Sequence, residues 1–82
     1  MYYVYVLWST IAARSYVGST GDVEERLRRH NSGHSKSTKH GIPWCLIHTE
    51  CFPTRAEAVH RELDYQTGHG REELKASLAA RL

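Results

Sequence analysis

Residues 3–20, "YVYVLWSTIAARSYVGST", spell two extended runs separated by a turn. From Tyr2 to Trp8 the chain uses Tyr, Val and Leu, and β-branched and aromatic residues in such density favour a strand. "RSYVGS", residues 14–19, makes a second, shorter run. Residues 9–13 carry no clean hairpin signature, yet so short a connection favours an antiparallel pair. Side chains alternate along a strand, so Tyr3, Tyr5 and Leu7 share one face and Tyr2, Val4 and Val6 the other. Tyr16 and Gly18 share a face of the second run. The chain has five Tyr against one Phe, although Phe would serve for packing alone. If Tyr5 and Tyr16 look the same way across the hairpin, their hydroxyls converge, and Gly18 leaves room for a ligand to approach the backbone. Taken singly, each Tyr is more often a residue at the rim of a core with its hydroxyl in water.

Beyond the hairpin the pattern changes period. "GDVEERLRRHNSG", residues 21–33, reads as a helix. Asp22 is its N-cap with Glu25 three residues on, acids fill the first turn, arginines the last, and Gly33 is the stop. Residues 34–42, "HSKSTKHGI", form a polar basic loop. Pro43 opens a third strand over "WCLIHTECF", and "FPTRAEAVHRELDYQ" is a second helix entered through a Thr54–Glu57 capping box. After a break at Gly68 and Gly70, "REELKASLAARL" predicts a final helix with Leu74, Leu78 and Leu82 on one stripe. The order ββαβαα over one domain, residues 1–82, argues an α+β fold: a small three-stranded antiparallel sheet flanked by helices.

Composition bounds the function. At 82 residues, 40% hydrophobic and 24% charged, the chain has the make-up of a single ordinary globular domain. It has no apolar run long enough for a membrane span and no recognisable signal peptide. The two cysteines, Cys45 and Cys51, lie too far apart along one extended run to bridge. Reduced thiols and a cytoplasmic location, with no membrane partner, are the expectation. Net charge is +2, but from Arg26 to His40 there are five Lys or Arg, three His and no acid. Such a stretch suits an anionic partner, and it equally suits the C-terminal end of a helix and the loop after it. A zinc site on Cys45, His48, Cys51 and a nearby His fails on geometry, because a regular strand turns His48 away from the thiols and no CxxC occurs.

Two charges occupy positions where apolar residues would be expected. On the second helix Ala58, Val59 and Leu63 define an inward arc at about 100° per residue, and Glu62 falls inside it. An unpaired buried carboxylate is costly. Glu62 is therefore either a border residue paired with an arginine or a carboxylate facing a cleft, where it could hold a hard cation such as Mg²⁺. On the first helix Val23 and Leu27 mark the inward side. Arg26 and His30, four apart, stack beside that stripe, while Arg28 and Arg29 point elsewhere. A guanidinium and an imidazole facing inward together would suit phosphate binding and proton transfer.

"YVY", then "YVG" at residues 16–18, then Arg26 and His30 in "RLRRH", then Glu62 in "HRE", resembles the GIY-YIG nuclease superfamily, most of all its small stand-alone bacterial members. The likeness spans nearly the whole chain and rests on the ordered set rather than on any one motif. Tyr3 stands where the first motif has glycine, and "LDYQTGHG" after Glu62 is not lysine-rich. The resemblance implies divalent-metal-dependent cleavage of nucleic acid phosphodiesters. It casts Tyr5, Tyr16, Arg26, His30 and Glu62 as catalytic, Glu62 as the ligand of Mg²⁺ or Mn²⁺, and Gly18 as the closing glycine beside the substrate. Lys36 and Lys39 in the basic loop would follow the substrate backbone, which gives affinity without sequence choice. The expected partner is nucleic acid, DNA above all, in single-stranded or branched form, bound by a monomer or weak homodimer. A non-catalytic binding module of the same fold is the alternative; the complete set of five argues against it.

Overall fold

The computed structural model describes residues 1–67. Strands β1 (Tyr2–Ser9), β2 (Arg14–Thr20) and β3 (Trp44–Phe52) form one antiparallel sheet in the order β2-β1-β3. Helix α1 (Val23–Ser32) follows β2, a 3-10 turn at Lys39–Gly41 leads into β3, and α2 (Arg55–Gln66) follows β3. The final helix expected over residues 71–82 lies outside the described residues. None of the described helices is long and apolar enough to cross a membrane.

Local chemistry sets the element ends. Asp22 accepts the Glu25 N–H at 3.1 Å, and Thr54 accepts the Glu57 N–H at 3.3 Å, so each helix starts on a satisfied cap. Helix α1 stops at Gly33, whose φ of 84° is left-handed and whose N–H returns to the Arg29 carbonyl. The β1–β2 connection lacks a glycine at its turn. Ala13 takes a φ of 52° instead, and Ser9, fully buried, accepts the Ala12 N–H at 3.0 Å.

β1 runs through the middle with a helix on each face. Val4 and Val6 point to the α2 side and meet Ala58 and Tyr65. Tyr5 and Leu7 point to the α1 side and meet Trp44, with Val23 and Leu27 packed against them. Val4, Val6 and Leu7 are wholly removed from water, worth about 2 kcal/mol a side chain. Asn31 docks α1 on β3 by pairing both its amide groups with the Trp44 backbone, at 2.6 and 3.0 Å.

Two expectations are corrected. The inward arc of α2 runs through Ala58, Glu62 and Tyr65, whereas Val59 and Leu63 are 39% and 52% exposed. The sheet side is already filled by Val4 and Val6, and the tyrosine reaches further across β3 than a leucine would. Strand β3 also breaks its alternation: Val6 pairs with His48 but Leu7 pairs with Leu46, so Ile47 is the extra residue of a bulge. That insertion puts Cys45 and His48 on the α2 face and Cys51 on the other. The two thiols therefore do not share a face: Cys45 lies with His48, and Cys51 is the one turned away.

Candidate active site

The pairing register brings the first polar groups together. Gly18 stands opposite Tyr5, and Leu7 opposite Tyr16, so the two tyrosines are diagonal neighbours on the α1 face. Their ring centroids are 6.4 Å apart. A β-carbon on Gly18 would come within 2.5 Å of the Tyr5 hydroxyl oxygen, so glycine at 18 is what lets the Tyr5 phenol lie across β2. From α1, His30 enters the same space. Its Nε2 is 3.1 Å from the Tyr5 hydroxyl, and its ring centroid is 4.7 Å from that of Tyr16.

His30 is 4% exposed, and its other nitrogen, Nδ1, lies 2.8 Å from the hydroxyl of buried Thr38. Thr38 in turn donates to the Ser35 carbonyl at 3.4 Å. A hydroxyl has one proton to give; where Thr38 spends it on the Ser35 carbonyl, it accepts from Nδ1–H. Nε2 is then the bare nitrogen, and it accepts from the Tyr5 hydroxyl. The result is a directed chain, Tyr5 to His30 to Thr38 to Ser35. Trp44 braces it by donating its indole N–H to the Thr38 carbonyl at 2.7 Å.

Charges act on this chain. Burial, with the neighbouring Tyr16, pushes the Tyr5 phenol up to about 12. Arg26 pulls the other way and Glu62 adds to the rise, so both charges lie within electrostatic reach of the hydroxyl. Burial and then the Arg26 guanidinium hold His30 below its ordinary value of 6.5. At neutral pH both groups are uncharged.

Glu62 comes from the opposite layer. It is half-buried on α2, accepting the Ser19 hydroxyl on Oε1 at 2.6 Å and the Gln66 amide on Oε2 at 3.2 Å. A second cluster behind it fixes α2 to the sheet. Glu50 of β3 accepts from Tyr65, from Arg61 at 2.9 Å and from His48 at 2.8 Å. Burial works to raise the Glu50 carboxyl, but these bonds outweigh it and hold it below the usual range. Burial and the Glu50 bond push the Tyr65 phenol up to about 12.

The structure thus gathers Tyr5, Tyr16, Gly18 and His30 in direct contact. Arg26 stands beside them, and Glu62 approaches round the β2 edge through Ser19. Lys36 and Lys39 are exposed in the loop that carries Thr38. Among the described residues no group of three His, Cys, Asp or Glu side chains could cage a metal. A single part-buried carboxylate does fit a hydrated Mg²⁺ or Mn²⁺, which takes one or two carboxylates and leaves its remaining positions to water and phosphate oxygens. Sequence reasoning missed Ser19 and Thr38. Ser19 was readable as the residue that alternation turns away from Gly18; Thr38 sits in a loop with no period to mark it.

The family described as the GIY-YIG catalytic domain matches residues 1–75. A UPF0213 protein of Haloquadratum walsbyi is 44% identical over 62 residues, 74% of this chain and 68% of that one. The structure-specific endonuclease subunit slx1 of Schizosaccharomyces pombe is 42% identical over 57 residues, 62% of this chain but only 20% of that longer protein. The solution NMR structure of a UPF0213 protein from Bacillus halodurans superimposes with a TM-score of 0.54 at 33% identity, over 95% of this chain and 85% of that one. The shared architecture is the α+β sheet described above.

Proposed function

The chain belongs to the GIY-YIG family, and on that premise we propose that it is a divalent-metal-dependent endonuclease that hydrolyses phosphodiester bonds of nucleic acid, DNA above all, with little sequence preference. The observation that carries this reading is the chain from the Tyr5 hydroxyl to His30 and Thr38, whose outer, Tyr5 end lies within reach of Arg26 and Glu62. A chain of donors pointing inward from a phenol is an arrangement for removing a proton from something at its outer end.

In the proposed mechanism the phosphate lies at the β2 edge. Arg26 holds its non-bridging oxygens, for which the planar guanidinium is suited. A water beside Tyr5 attacks phosphorus. As its O–P bond forms and the bond from phosphorus to the leaving oxygen breaks, its proton passes to the Tyr5 oxygen, and the Tyr5 proton passes to His30 Nε2. A free phenol with its pKa near 12 is too weak an acid to work as a stored phenolate at neutral pH. The concerted transfer avoids that state, because His30 takes the proton as Tyr5 receives one. Tyr16, packed on His30, offers its hydroxyl to the phosphate. Glu62 would hold Mg²⁺ or Mn²⁺, which would supply charge neutralisation at the phosphate and at the leaving oxygen. Lys36 and Lys39 would follow the flanking backbone, and contacts to phosphate carry no base information.

The test is incubation of purified protein with single-stranded, duplex and branched DNA and RNA, with Mg²⁺, Mn²⁺ or EDTA. Cleavage in the metal arms, silent in EDTA and in Glu62→Ala, supports the proposal. Tight binding with no product in any arm overturns it in favour of a binding module.

A further inference from the structure

Next to the Tyr5 chain, on the α2 side of β2, lies a cavity of about 120 Å³ between the end of β2, the start of α1 and the first turn of α2. It has room for roughly four waters, and hence for a phosphate group. Its walls include Ser19, Thr20 and Gly21, the ring of Tyr2, and two guanidiniums, Arg26 and Arg55. Among the described residues no carboxylate lines it. Glu25 makes only a loose 3.9 Å contact with Arg26, and Glu62 is tied to Ser19.

Arg55 has no acidic partner among the described residues. Its guanidinium lies over the Tyr2 ring, 5.4 Å from the centroid. Two further facts make its place unfavourable without an anion. It is the first residue of α2, where the helix dipole disfavours a cation. It also lines the same small cavity as Arg26, and like charges repel. Tyr2 offsets part of this through its ring face, beside which the exposed Arg55 stands at the cavity rim.

We propose that this cavity is a second phosphate site, in which Arg55 binds the phosphodiester next to the one being cleaved. The inference rests on the nuclease reading above and extends it. Arg26 and Ser19 are common walls: Arg26 faces both the Tyr5 chain and the cavity, and Ser19 holds Glu62. A strand seated on Arg26 with one phosphate therefore offers its neighbour to Arg55. Two fixed phosphates set the direction in which the strand crosses the β2 edge, which one phosphate cannot do.

The experiment measures binding of a short oligothymidylate in EDTA, over a range of salt, to wild type, Arg55→Ala, Arg55→Lys and, as a surface control, Arg14→Ala. Each strand is used with a 5′-hydroxyl and with a 5′-phosphate. Arg55→Ala should bind about 3- to 10-fold more weakly near 0.1 M salt, with a log–log salt slope shallower by about 0.7, the loss of one single-strand phosphate contact. Arg55→Lys should keep the wild-type slope, Arg14→Ala should leave it unchanged, and the result should not depend on the 5′ end. Wild-type affinity and slope in Arg55→Ala would overturn the proposal. So would an equal loss in Arg14→Ala, which would mean bulk charge alone, or a loss confined to the 5′-phosphorylated strand, which would mean a terminal phosphate site. These binding data do not depend on turnover. A failed Arg55 effect beside intact wild-type cleavage removes the second site and spares the nuclease, whereas a wild type that binds but never cleaves does the reverse.

Discussion

Ser19 donates its hydroxyl to Glu62 across 43 positions of sequence, and its neighbour Gly18 lies under the Tyr5 phenol on the other face of the same strand. One peptide unit of β2 therefore joins the two halves of the site. Groups from opposite faces of a sheet can meet only around an edge, and β2 is an edge strand of this one. Glu62→Gln keeps the size of the side chain and removes its charge. Cleavage should fall by at least about 100-fold, the scale for loss of one electrostatic group at a reacting phosphate, while thermal melting stays close to wild type. Ser19→Ala should cost less, and should raise the Mn²⁺ concentration needed for half-maximal rate.

Thr38→Val removes the acceptor for the His30 Nδ1 proton at a buried position. An unsatisfied buried donor costs about 1–3 kcal/mol, so the melting temperature should drop. The imidazole is also freed to put its proton on Nε2, where it opposes the Tyr5 hydroxyl. Rate should fall by more than the stability loss explains, and Thr38→Ser should restore it.

The pH dependence follows from His30, whose pKa is lowered in the fold by burial and by Arg26. As pH falls, the unfolded chain takes up this proton first, at its ordinary 6.5. The associated stability is complete above that pH and is lost as pH descends through the lower folded-state value. Cleavage should follow the same limb, because a protonated Nε2 can no longer accept from Tyr5. A rate profile and a denaturant series between pH 4 and 8 check both; a rate that rises on acidification would refute the relay.

Gly18→Ala tests the close approach directly. The new methyl would stand 2.5–3.0 Å from three atoms of the Tyr5 phenol, so the ring must move. Forcing extra volume into a packed site costs about 1–3 kcal/mol. Tyr5 would part from His30, and circular dichroism should report a folded protein without activity.

Tyr65→Phe loosens the fastening of α2. The variant loses a hydrogen bond to the Glu50 carboxylate, worth about 2 kcal/mol for a bond to a charged acceptor. Wild type carries an alkaline signature that the variant should show only in reduced size, because Tyr5 keeps its own share. The folded chain keeps the Tyr65 proton to about 12 and the unfolded chain releases it near 10.0. That share of stability is complete below pH 10 and disappears as pH rises through 12.

Much of this was legible because its signals are local. The caps at Asp22–Glu25 and Thr54–Glu57 each occupy four residues, and both helices start where those residues say. Alternation along β1 divided Tyr5 from Val4 correctly. The misplaced features depend on partners distant in sequence. Ile47 is a bulge only because β1 pairs across it, and nothing in "WCLIHTECF" marks the insertion. Val59 and Leu63 look inward by hydropathy, but the sheet decided which side of α2 it would cover, and Tyr65 won because its hydroxyl finds Glu50. Glu62 stood out because a carboxylate next to Ala58 needs a reason; the hydroxyl that holds it lies 43 positions away.

The division of the site between two layers bears on how the chain could be taken apart. A break within residues 34–37 would leave β1, β2 and α1 on one fragment, and Thr38, β3 and α2 on the other. Each piece alone would be inert, one lacking its carboxylate and the other its phenols. Mixing should reconstitute cutting only as the β1–β3 ladder re-forms, which would make this small fold a natural candidate for a split reporter.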